Sequence, residues 1–484
     1  MINLRVVQKY DCDVLIVGGG PGGSALAYQL AEKGIKTMVL EAHTFPRDKV
    51  CGDGVSPIAL AELQKLGITR LQKFKRENEI TKVGLFIKDE KVFIDLPETG
   101  HLPFHARIIP RMQLDNWIYD AAKNKGAVFL EDTRLVNFTI TETAAIAEVK
   151  RGDDIQYIRS KMIVGADGSN STVARILHGE KAGEKFKLLG LRAYYENVNG
   201  PNDRVDIFFT KYNFPGIYWM FPVGKNKANI GLAMVASTMP KNEQHVKTLL
   251  TKHIEQNKDM AERIGKGTIK GKISGWPLTF YNPQNSITGN RVLLIGDAAG
   301  LINPLSGDGI QYALLSARWA GECIIDCVHK NDFSANTLFA FRKKINEELG
   351  YDFALSNLLI QFARNRALAP LWMEIMEVLI ERAKTDKQYA DIIAGIFEGT
   401  YPSYKALTPD FISKSLLQAG MHIGSLASKT LLKGPGHWLH TGARAGNLAV
   451  SLIDSIKKNP SGNIQWLTSL ISNGLLVAGY VIKK

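Results

Sequence analysis

One stretch of the sequence, residues 13–41, restricts the fold more than any other. Residues 14–17 form an apolar run typical of a buried strand, and the next six residues read GGGPGG. A helical pattern and a second short strand, residues 36–40, follow. This order of strand, glycine turn, helix and strand predicts a βαβ unit of the kind that binds dinucleotides.

Three glycines form the motif. Gly18, Gly20 and Gly23 have the G-x-G-x-x-G spacing at the head of the predicted helix. The first permits the tight turn, the second lets a pyrophosphate approach the backbone, and the third packs the helix on the strand. Glu41 ends the second strand, where a carboxylate would accept hydrogen bonds from the ribose of an adenosine. FAD and NAD both contain adenosine diphosphate, so a second site must decide between them.

The composition is that of a globular protein with more than one domain. A chain of 484 residues exceeds one ordinary core, which predicts two or three domains. Hydrophobic residues make up 45% of the chain and charged residues 22%, which excludes a disordered protein. Four cysteines and no secretory signal pattern favour a cytoplasmic location. The spacing of Cys323 and Cys327 is interpreted as core packing, so no metal site is predicted.

The net charge of +13 is concentrated near the C-terminus. Residues 404–484 contain nine basic and two acidic residues. No nucleic-acid-binding motif accompanies this surplus, which leaves an anionic membrane surface and a solvated basic face as equal interpretations. Residues 467–482 are the most apolar segment, but polar residues interrupt them and they fall short of the ~20 residues of a spanning helix. The membrane interpretation is therefore a peripheral contact through the C-terminal region.

A second candidate site lies at residues 290–311. An apolar strand, 292–295, is followed by Asp297 among small residues, and a glycine-rich turn then opens a helix that runs to about residue 328. Such an aspartate suits a polyol chain, and a second helix N-terminus suits a phosphate. Two such sites, separated by about 270 residues, require a long ligand held between them. The sequence therefore predicts FAD.

The segments between these sites predict further elements. Residues 42–54 form a loop rich in glycine and charge around Cys51, a composition that suggests backbone close to a ligand. Residues 82–96 alternate as a hairpin does, and a helix follows Pro110. Alternating strands at 205–210, 217–221 and 228–234 predict an antiparallel sheet, and helices are predicted at 339–362 and 371–385.

Three aromatic residues on one of these strands are candidates for a substrate wall. Trp219 and Phe221 share one face of the strand and Tyr218 lies on the other, because side chains alternate. Core packing and a wall for a large apolar substrate explain this pattern equally well.

Together these motifs resemble the geranylgeranyl reductase family of FAD-dependent oxidoreductases, within the superfamily of aromatic hydroxylases and flavin halogenases. The resemblance covers roughly residues 10–330. Residues 45–54, FPRDKVCGDG, resemble the reductases' Lys-x-Cys-Gly-Gly loop beside the isoalloxazine, and 217–222, IYWMFP, resemble their Tyr-x-Trp-x-Phe-Pro motif. Asp53 replaces the second glycine of the loop and Ile217 replaces the first tyrosine. The halogenase motif Trp-x-Trp-x-Ile-Pro is only partly matched.

The resemblance implies an α/β protein of the p-hydroxybenzoate hydroxylase-like fold. A Rossmann-type FAD-binding domain would comprise residues 1–80, 106–188 and 285–330. An inserted antiparallel β-sheet domain that binds the substrate would comprise 81–105 and 189–284, and a helical C-terminal region 331–484.

The implied site residues fall into three groups. The catalytic candidates are Cys51 and Asp53, with Tyr218 and Asp308 as further proton donors. The implied substrate-binding residues are Tyr218, Trp219, Phe221 and Pro222. The implied cofactor-binding residues are Gly18, Gly20, Gly22, Gly23, Glu41, Arg47, Cys51, Gly52, Arg111, Asp167, Gly168, Asp297, Gly307, Gly309 and Ile310.

The implied activity is saturation of C=C bonds in an isoprenoid or other polyene lipid, by hydride from N5 of reduced FAD and by protonation. No second dinucleotide motif follows, so NAD(P)H docking transiently, or another electron donor, would reduce the flavin. The partner expected is a large apolar lipid substrate. Two alternatives stay open at this point: an FAD-dependent monooxygenase, hydroxylase or epoxidase, acting on an apolar substrate, and a prenyl-lipid carrier without catalytic activity.

Overall fold

The structure is a computed structural model. It describes residues 9–98, 100, 102, 105–179, 186–210, 216–239, 243–415, 417–419, 421 and 460–482. The α-helices with assigned bounds are Pro21–Glu32, Pro57–Lys65, Gln72–Lys75, Arg111–Asn124, Thr172–His178, Glu243–Gln256, Lys258–Ile264, Ile310–Lys330, Ala335–Ala363, Ala369–Ala383, Lys387–Glu398 and Pro460–Ile482.

The first sheet is a mixed sheet built around the N-terminal strand. Its order is Thr288–Gly289, Val292–Leu294, Asp154–Gly165, Cys12–Val17, Thr37–Leu40 and Val128–Leu130, and the last five of these strands are parallel. Ala145–Arg151 and Thr133–Ile140 extend it beside Asp154–Gly165 as antiparallel strands. Helices cover the central strands, which explains their uninterrupted apolar sequence. The carboxyl ends of three parallel strands therefore meet at Gly18, Ala166 and Ile295.

The second sheet has seven strands and contains the predicted hairpin. Its order is Thr268–Thr279, Lys187–Glu196, Lys227–Val235, Gly216–Gly224, Arg204–Phe209, Lys82–Ile87 and Glu90–Asp95. The predicted strands are confirmed, but Lys82–Ile87 and Arg204–Phe209 pair in parallel rather than antiparallel. These two strands come from separate segments of the chain, so no tight turn forces them to run in opposite directions.

A third, small sheet fixes the loop that follows Cys51. Gly54–Val55 and Asn78–Ile80 both pair with Ala106–Ile108. The loop is thereby anchored at its C-terminal end, between the two large sheets.

Helices complete the molecule. Ile310–Lys330 packs against Pro21–Glu32, and Ala369–Ala383 and Lys387–Glu398 cover the hairpin strands with apolar side chains. The helices predicted at 339–362 and 371–385 are confirmed as Ala335–Ala363 and Ala369–Ala383. The C-terminal helix Pro460–Ile482 packs on the first of these. None of the helices in the described part of the chain is long and apolar enough to cross a membrane.

Candidate active site

One large cavity lies between the first sheet and the second. Its volume is about 760 Å³, within the usual range for ligand sites. Most of the implied cofactor residues line it: Gly18, Gly20, Gly22, Glu41, Arg47, Cys51, Gly52, Arg111, Asp167, Gly168, Asp297, Gly307, Gly309 and Ile310. Residues separated by almost 300 positions in the sequence thus surround one space.

The glycine motif forms the floor of this cavity. Gly18 has φ +102°, and a Cβ there would lie 2.4 Å from the carbonyl oxygen of Ala166. A Cβ at Gly23 would lie 1.9 Å from the carbonyl oxygen of Gly18. Gly20, in contrast, faces the cavity, and a Cβ there would meet only Arg47, at 3.7 Å. Gly18 and Gly23 therefore hold the turn, while Gly20 leaves space for a ligand.

Two helix N-termini lie at the cavity. Pro21–Glu32 begins after Gly20 and Ile310–Lys330 after Gly309, and neither cap residue offers a side-chain hydrogen bond. The buried Asp308 carboxyl group lies beside the first N–H groups of the helix Ile310–Lys330, whereas the N-terminus after Gly20 offers its N–H groups and the positive end of the helix dipole to a phosphate group. The cradle at Gly20 and the N-terminus of Pro21–Glu32 therefore fit the pyrophosphate of FAD.

Glu41 begins a chain of ion pairs along one wall. Its carboxylate accepts hydrogen bonds from the backbone N–H groups of Gly19 and His43, each at 3.0 Å. Arg47 lies between Glu41, at 3.3 Å, and the buried Asp115, at 3.1 Å. Arg111 pairs with the same Asp115 through two hydrogen bonds of 2.6 and 2.8 Å. The Asp115 carboxylate thus neutralises the buried Arg111, which lies on the same helix, Arg111–Asn124.

Two aspartates of the predicted site have local partners. Asp167 accepts hydrogen bonds from Ser171 and from the N–H of Thr172, at 2.5 and 2.7 Å, at the start of the helix Thr172–His178. Burial raises the pKa of Asp167. Asp297 contacts Lys49 at 3.4 Å and accepts a hydrogen bond from Ser169. The positive charge of Lys49 therefore lies at the second site, beside the helix that begins at Ile310.

The Cys51 loop separates the glycine cradle from the second sheet. Cys51 and Gly52 line the cavity, and the positive charge of the Arg111 guanidinium lies close to the Cys51 thiol. Burial raises the pKa of this thiol, an effect that Arg111 partly offsets. The thiol is therefore protonated at neutral pH, and it is a proton-bearing group at the cavity wall.

Asp53 has an unusual backbone conformation. Its φ is +64°, in the left-handed region that glycine adopts without strain. Its fully buried carboxylate accepts hydrogen bonds from Tyr194 at 2.6 Å and Asn229 at 2.9 Å, and burial raises its pKa to about 6. Asp53 lies behind the cavity wall rather than on it.

The aromatic strand contributes an apolar wall. Trp219 and Phe221 line the cavity together with Leu188, Ile217, Trp276 and Leu278. Tyr218 points to the other face, where its ring stacks on His253 at 3.7 Å and its hydroxyl donates to the carbonyl of Leu249. Pro222, Gly23 and Asp308 are not among the described residues that line the cavity. Burial raises the pKa of Asp308 to about 7.

Several residues near the Cys51 loop were missed by sequence reasoning. Arg192 pairs with Asp48 at 2.5 Å and lies over the ring of Tyr194. Asn229 contacts both the loop and the aromatic strand. A polar residue between the apolar residues 228 and 230 was the available signal, since buried polar side chains need partners.

Comparison with known proteins gives consistent matches. A family model described as an FAD binding domain matches residues 11–325. Menaquinone reductase of Mycolicibacterium smegmatis is 30% identical over 316 residues, which covers 64% of this chain and 75% of that protein. Digeranylgeranylglycerophospholipid reductase 2 of Methanopyrus kandleri is 27% identical over 349 residues, which covers 71% and 84%.

A solved structure has the same fold. It is that of a geranylgeranyl bacteriochlorophyll reductase-like protein from Thermoplasma acidophilum, with a TM-score of 0.70 and 22% identity. The match covers 82% of this chain and 98% of that one.

Proposed function

Because the chain belongs to the FAD binding domain family of flavoprotein oxidoreductases, we propose that it saturates C=C bonds of an isoprenoid or other polyene lipid. The observation that carries this proposal is that one continuous cavity joins the phosphate cradle at Gly20 to the apolar wall at Trp219 and Phe221 along the Cys51 loop. The reductases of menaquinone and of digeranylgeranylglycerophospholipid among the relatives support the reductive direction.

FAD in its reduced form would supply a hydride to the substrate. The backbone at Gly20 and the N-terminus of the helix Pro21–Glu32 would hold its phosphates, and Glu41 would hold its ribose. Asp297, with Lys49 beside it, would contact the polyol chain of FAD. These residues bind and orient the cofactor, and they leave the Cys51 loop to act on the substrate side.

The protein's own residues must supply the proton and exclude water. An unactivated alkene accepts hydride poorly, so protonation has to precede or accompany the transfer. Cys51 is our first candidate for the donor, because its protonated thiol lies on the cavity wall, close to the Arg111 guanidinium. The apolar side chains of Trp219, Phe221 and Leu278 would surround the hydrocarbon and keep the site dry.

The lipid substrate is most accessible at a membrane surface. We therefore propose that the C-terminal helix Pro460–Ile482 contacts an anionic bilayer, drawn there by the basic surplus of residues 404–484. Lys457, Lys458, Lys483 and Lys484, the basic residues that flank this helix in the sequence, lie outside the described residues.

Reoxidation under nitrogen tests the function. The purified protein is photoreduced anaerobically, mixed with a geranylgeranyl lipid and then, in a separate sample, with air. We expect the lipid to reoxidise the flavin and to gain two hydrogens per turnover by mass spectrometry. Cys51→Ala should slow this step roughly 100- to 10,000-fold, the usual effect of losing a general acid, without changing flavin content. A flavin that stays reduced until oxygen arrives, with an oxygenated product, would favour the monooxygenase. A protein purified without flavin would favour the carrier.

A second experiment tests whether NAD(P)H, the proposed electron donor, reduces the flavin. Bleaching of the flavin absorbance on adding NADPH or NADH under nitrogen would support direct reduction. No bleaching with either would require a separate electron donor.

A further inference from the structure

Asn229 is a junction between the Cys51 loop and the aromatic wall. Its side-chain nitrogen donates to the carbonyl oxygen of Cys51 at 2.7 Å and to the Asp53 carboxylate at 2.9 Å. Its side-chain oxygen accepts a hydrogen bond from the indole N–H of Trp219 at 3.0 Å. The side chain is fully buried. Both protons of the amide are used, so only one orientation of the group satisfies all three partners.

Asp53 fixes that orientation from behind the loop. Its Oδ2 accepts from Asn229 and from the hydroxyl of Tyr194, on the neighbouring strand. The resembled family has glycine at position 53. Glycine has no carboxylate and could not accept these hydrogen bonds. The left-handed φ of +64° directs this carboxylate into the sheet, away from the cavity.

We propose that Asn229 is a positioning residue that holds the Cys51 backbone and the Trp219 indole at a fixed separation, with Asp53 orienting its amide. The inference deepens the proposed function and rests on it only for the consequence in catalysis. The separation sets how a hydrocarbon lies between the Cys51 thiol and the apolar wall. Asn229 and Asp53 act through these two residues and need not touch the substrate.

Alkylation of Cys51 measures the position of the loop without any turnover. The rate of carbamidomethylation by iodoacetamide is followed for each cysteine by peptide mass spectrometry, as a function of pH, in the purified holoprotein. The pH series separates a change in thiol pKa from a change in access. Cys12, Cys323 and Cys327 are internal references, because they lie outside the cavity.

Four variants define the expected pattern. Asn229→Leu, of similar size, removes all three hydrogen bonds, and Trp219→Phe removes the indole donor together with part of the ring. Asp53→Gly removes the carboxylate at a backbone conformation that glycine prefers, so it should fold at least as well as the parent. Asp53→Asn keeps an oxygen acceptor for Tyr194. The matched control is Asn199→Leu, on an exposed asparagine whose side-chain nitrogen donates to the carbonyl of Glu262.

We expect Cys51 alkylation to rise at least threefold in Asn229→Leu and Asp53→Gly, and to stay near the parental rate in Asp53→Asn and Asn199→Leu. Trp219→Phe should lie between these. Unchanged Cys51 rates in both Asn229→Leu and Asp53→Gly would overturn the proposal, as would equal acceleration of all four cysteines. If lipid reduction is found, Asn229→Leu should lower kcat more than it raises KM. Absence of lipid reduction would contradict the proposed function and leave the alkylation result standing.

Discussion

Gly20 and Gly23 belong to one motif but are required for different reasons. Gly20 has φ −67°, which alanine adopts freely, and its Cβ would enter the cavity. We expect Gly20→Ala to fold with an unchanged thermal midpoint and to bind FAD roughly 10- to 100-fold more weakly, since overpacking costs about 1–3 kcal/mol. Isothermal titration of the apoprotein with FAD measures the affinity.

Gly23→Ala is the matched comparison. Its Cβ would overlap the carbonyl oxygen of Gly18, so the helix and the strand must separate. We expect this variant to lose stability as well as flavin. Equal affinity for FAD in Gly20→Ala and the parent would show that the pyrophosphate binds elsewhere.

Asp53 should make stability depend on pH. Burial raises its pKa to about 6, whereas an unfolded aspartate ionises near pH 4. Between these values the folded protein keeps a proton that the unfolded chain has lost, so stability falls as the pH rises. Asp53→Asn removes this contribution, and we expect the variant to gain up to roughly 3 kcal/mol over the parent between pH 4 and pH 7.

Thermal midpoints of both proteins across this interval test the prediction. Asp203→Asn, at a half-exposed carboxylate directly before the strand Arg204–Phe209, is the control and should follow the parent at each pH. Parallel curves for Asp53→Asn and the parent would mean that Asp53 is ionised throughout.

Sequence reasoning predicted many of the residues that line the cavity, but not all of their contacts. The glycines, Glu41 and Asp297 follow strands in recognisable patterns, so their places in the cavity could be predicted. Asn229 could be assigned to a strand face, but its three partners lie on two other segments, and hydrophobic periodicity carries no information about pairing. The left-handed backbone of Asp53 was likewise not readable from a single residue type.

At the scale of elements, the C-terminal helix Pro460–Ile482 has two different faces. Its indole at Trp466 donates to the carbonyl of Gln361, which docks the helix on Ala335–Ala363. The opposite face exposes an apolar row whose side chains are 49 to 69% accessible: Ile464, Leu467, Ile471 and Leu475. The helix contains no charged residue. Such a face suits the interface of a bilayer rather than its interior.

Serine substitutions at Leu467, Ile471 and Leu475 test this face. Each removes an apolar side chain worth about 1–2 kcal/mol on burial, so sedimentation with vesicles containing anionic lipid should fall more than tenfold. The thermal midpoint should not change, because these side chains are exposed. Tyr157→Ser, at an exposed aromatic residue on the first sheet, is the control. Binding equal to the parent would refute the membrane contact.

The basic residues that flank this helix in the sequence give a separate prediction. Replacing Lys457, Lys458, Lys483 and Lys484 by glutamine should release the protein from anionic vesicles and abolish the salt dependence of binding. Neutral vesicles are the control, since the lysines should not affect binding to them. Unchanged binding to anionic vesicles would exclude a role for these charges.

At the scale of the molecule, the predicted class of fold is confirmed by the two large sheets and by the matches to flavoproteins. The class was predictable because dinucleotide motifs require a strand and a helix at fixed positions. The parallel pairing of Lys82–Ile87 with Arg204–Phe209 was not predictable, because alternating hydrophobicity identifies a strand but not the strand that pairs with it. The domain boundaries drawn from the sequence stay predictions.

FAD should stabilise the whole molecule, since its site is assembled from both large sheets. A ligand at 100 times its Kd adds about 2.7 kcal/mol to the free energy of unfolding. We expect the thermal midpoint of the apoprotein to rise with FAD concentration, and by a smaller amount in Gly20→Ala at the same concentration. Adenosine diphosphate alone should give part of the shift, because it occupies only the Glu41 end. A midpoint independent of FAD would contradict the assignment of the cavity.

The order of strands in the first sheet also determines when this protein can mature on the ribosome. The N-terminal strand Cys12–Val17 pairs with Asp154–Gly165, which in turn pairs with Val292–Leu294. At 5–20 residues per second, about 15 to 60 s pass between synthesis of the first strand and emergence of the last. During that interval the nascent chain presents an apolar strand edge without its neighbour. The cofactor can therefore be captured only late in translation, and chaperones have a long period in which to bind.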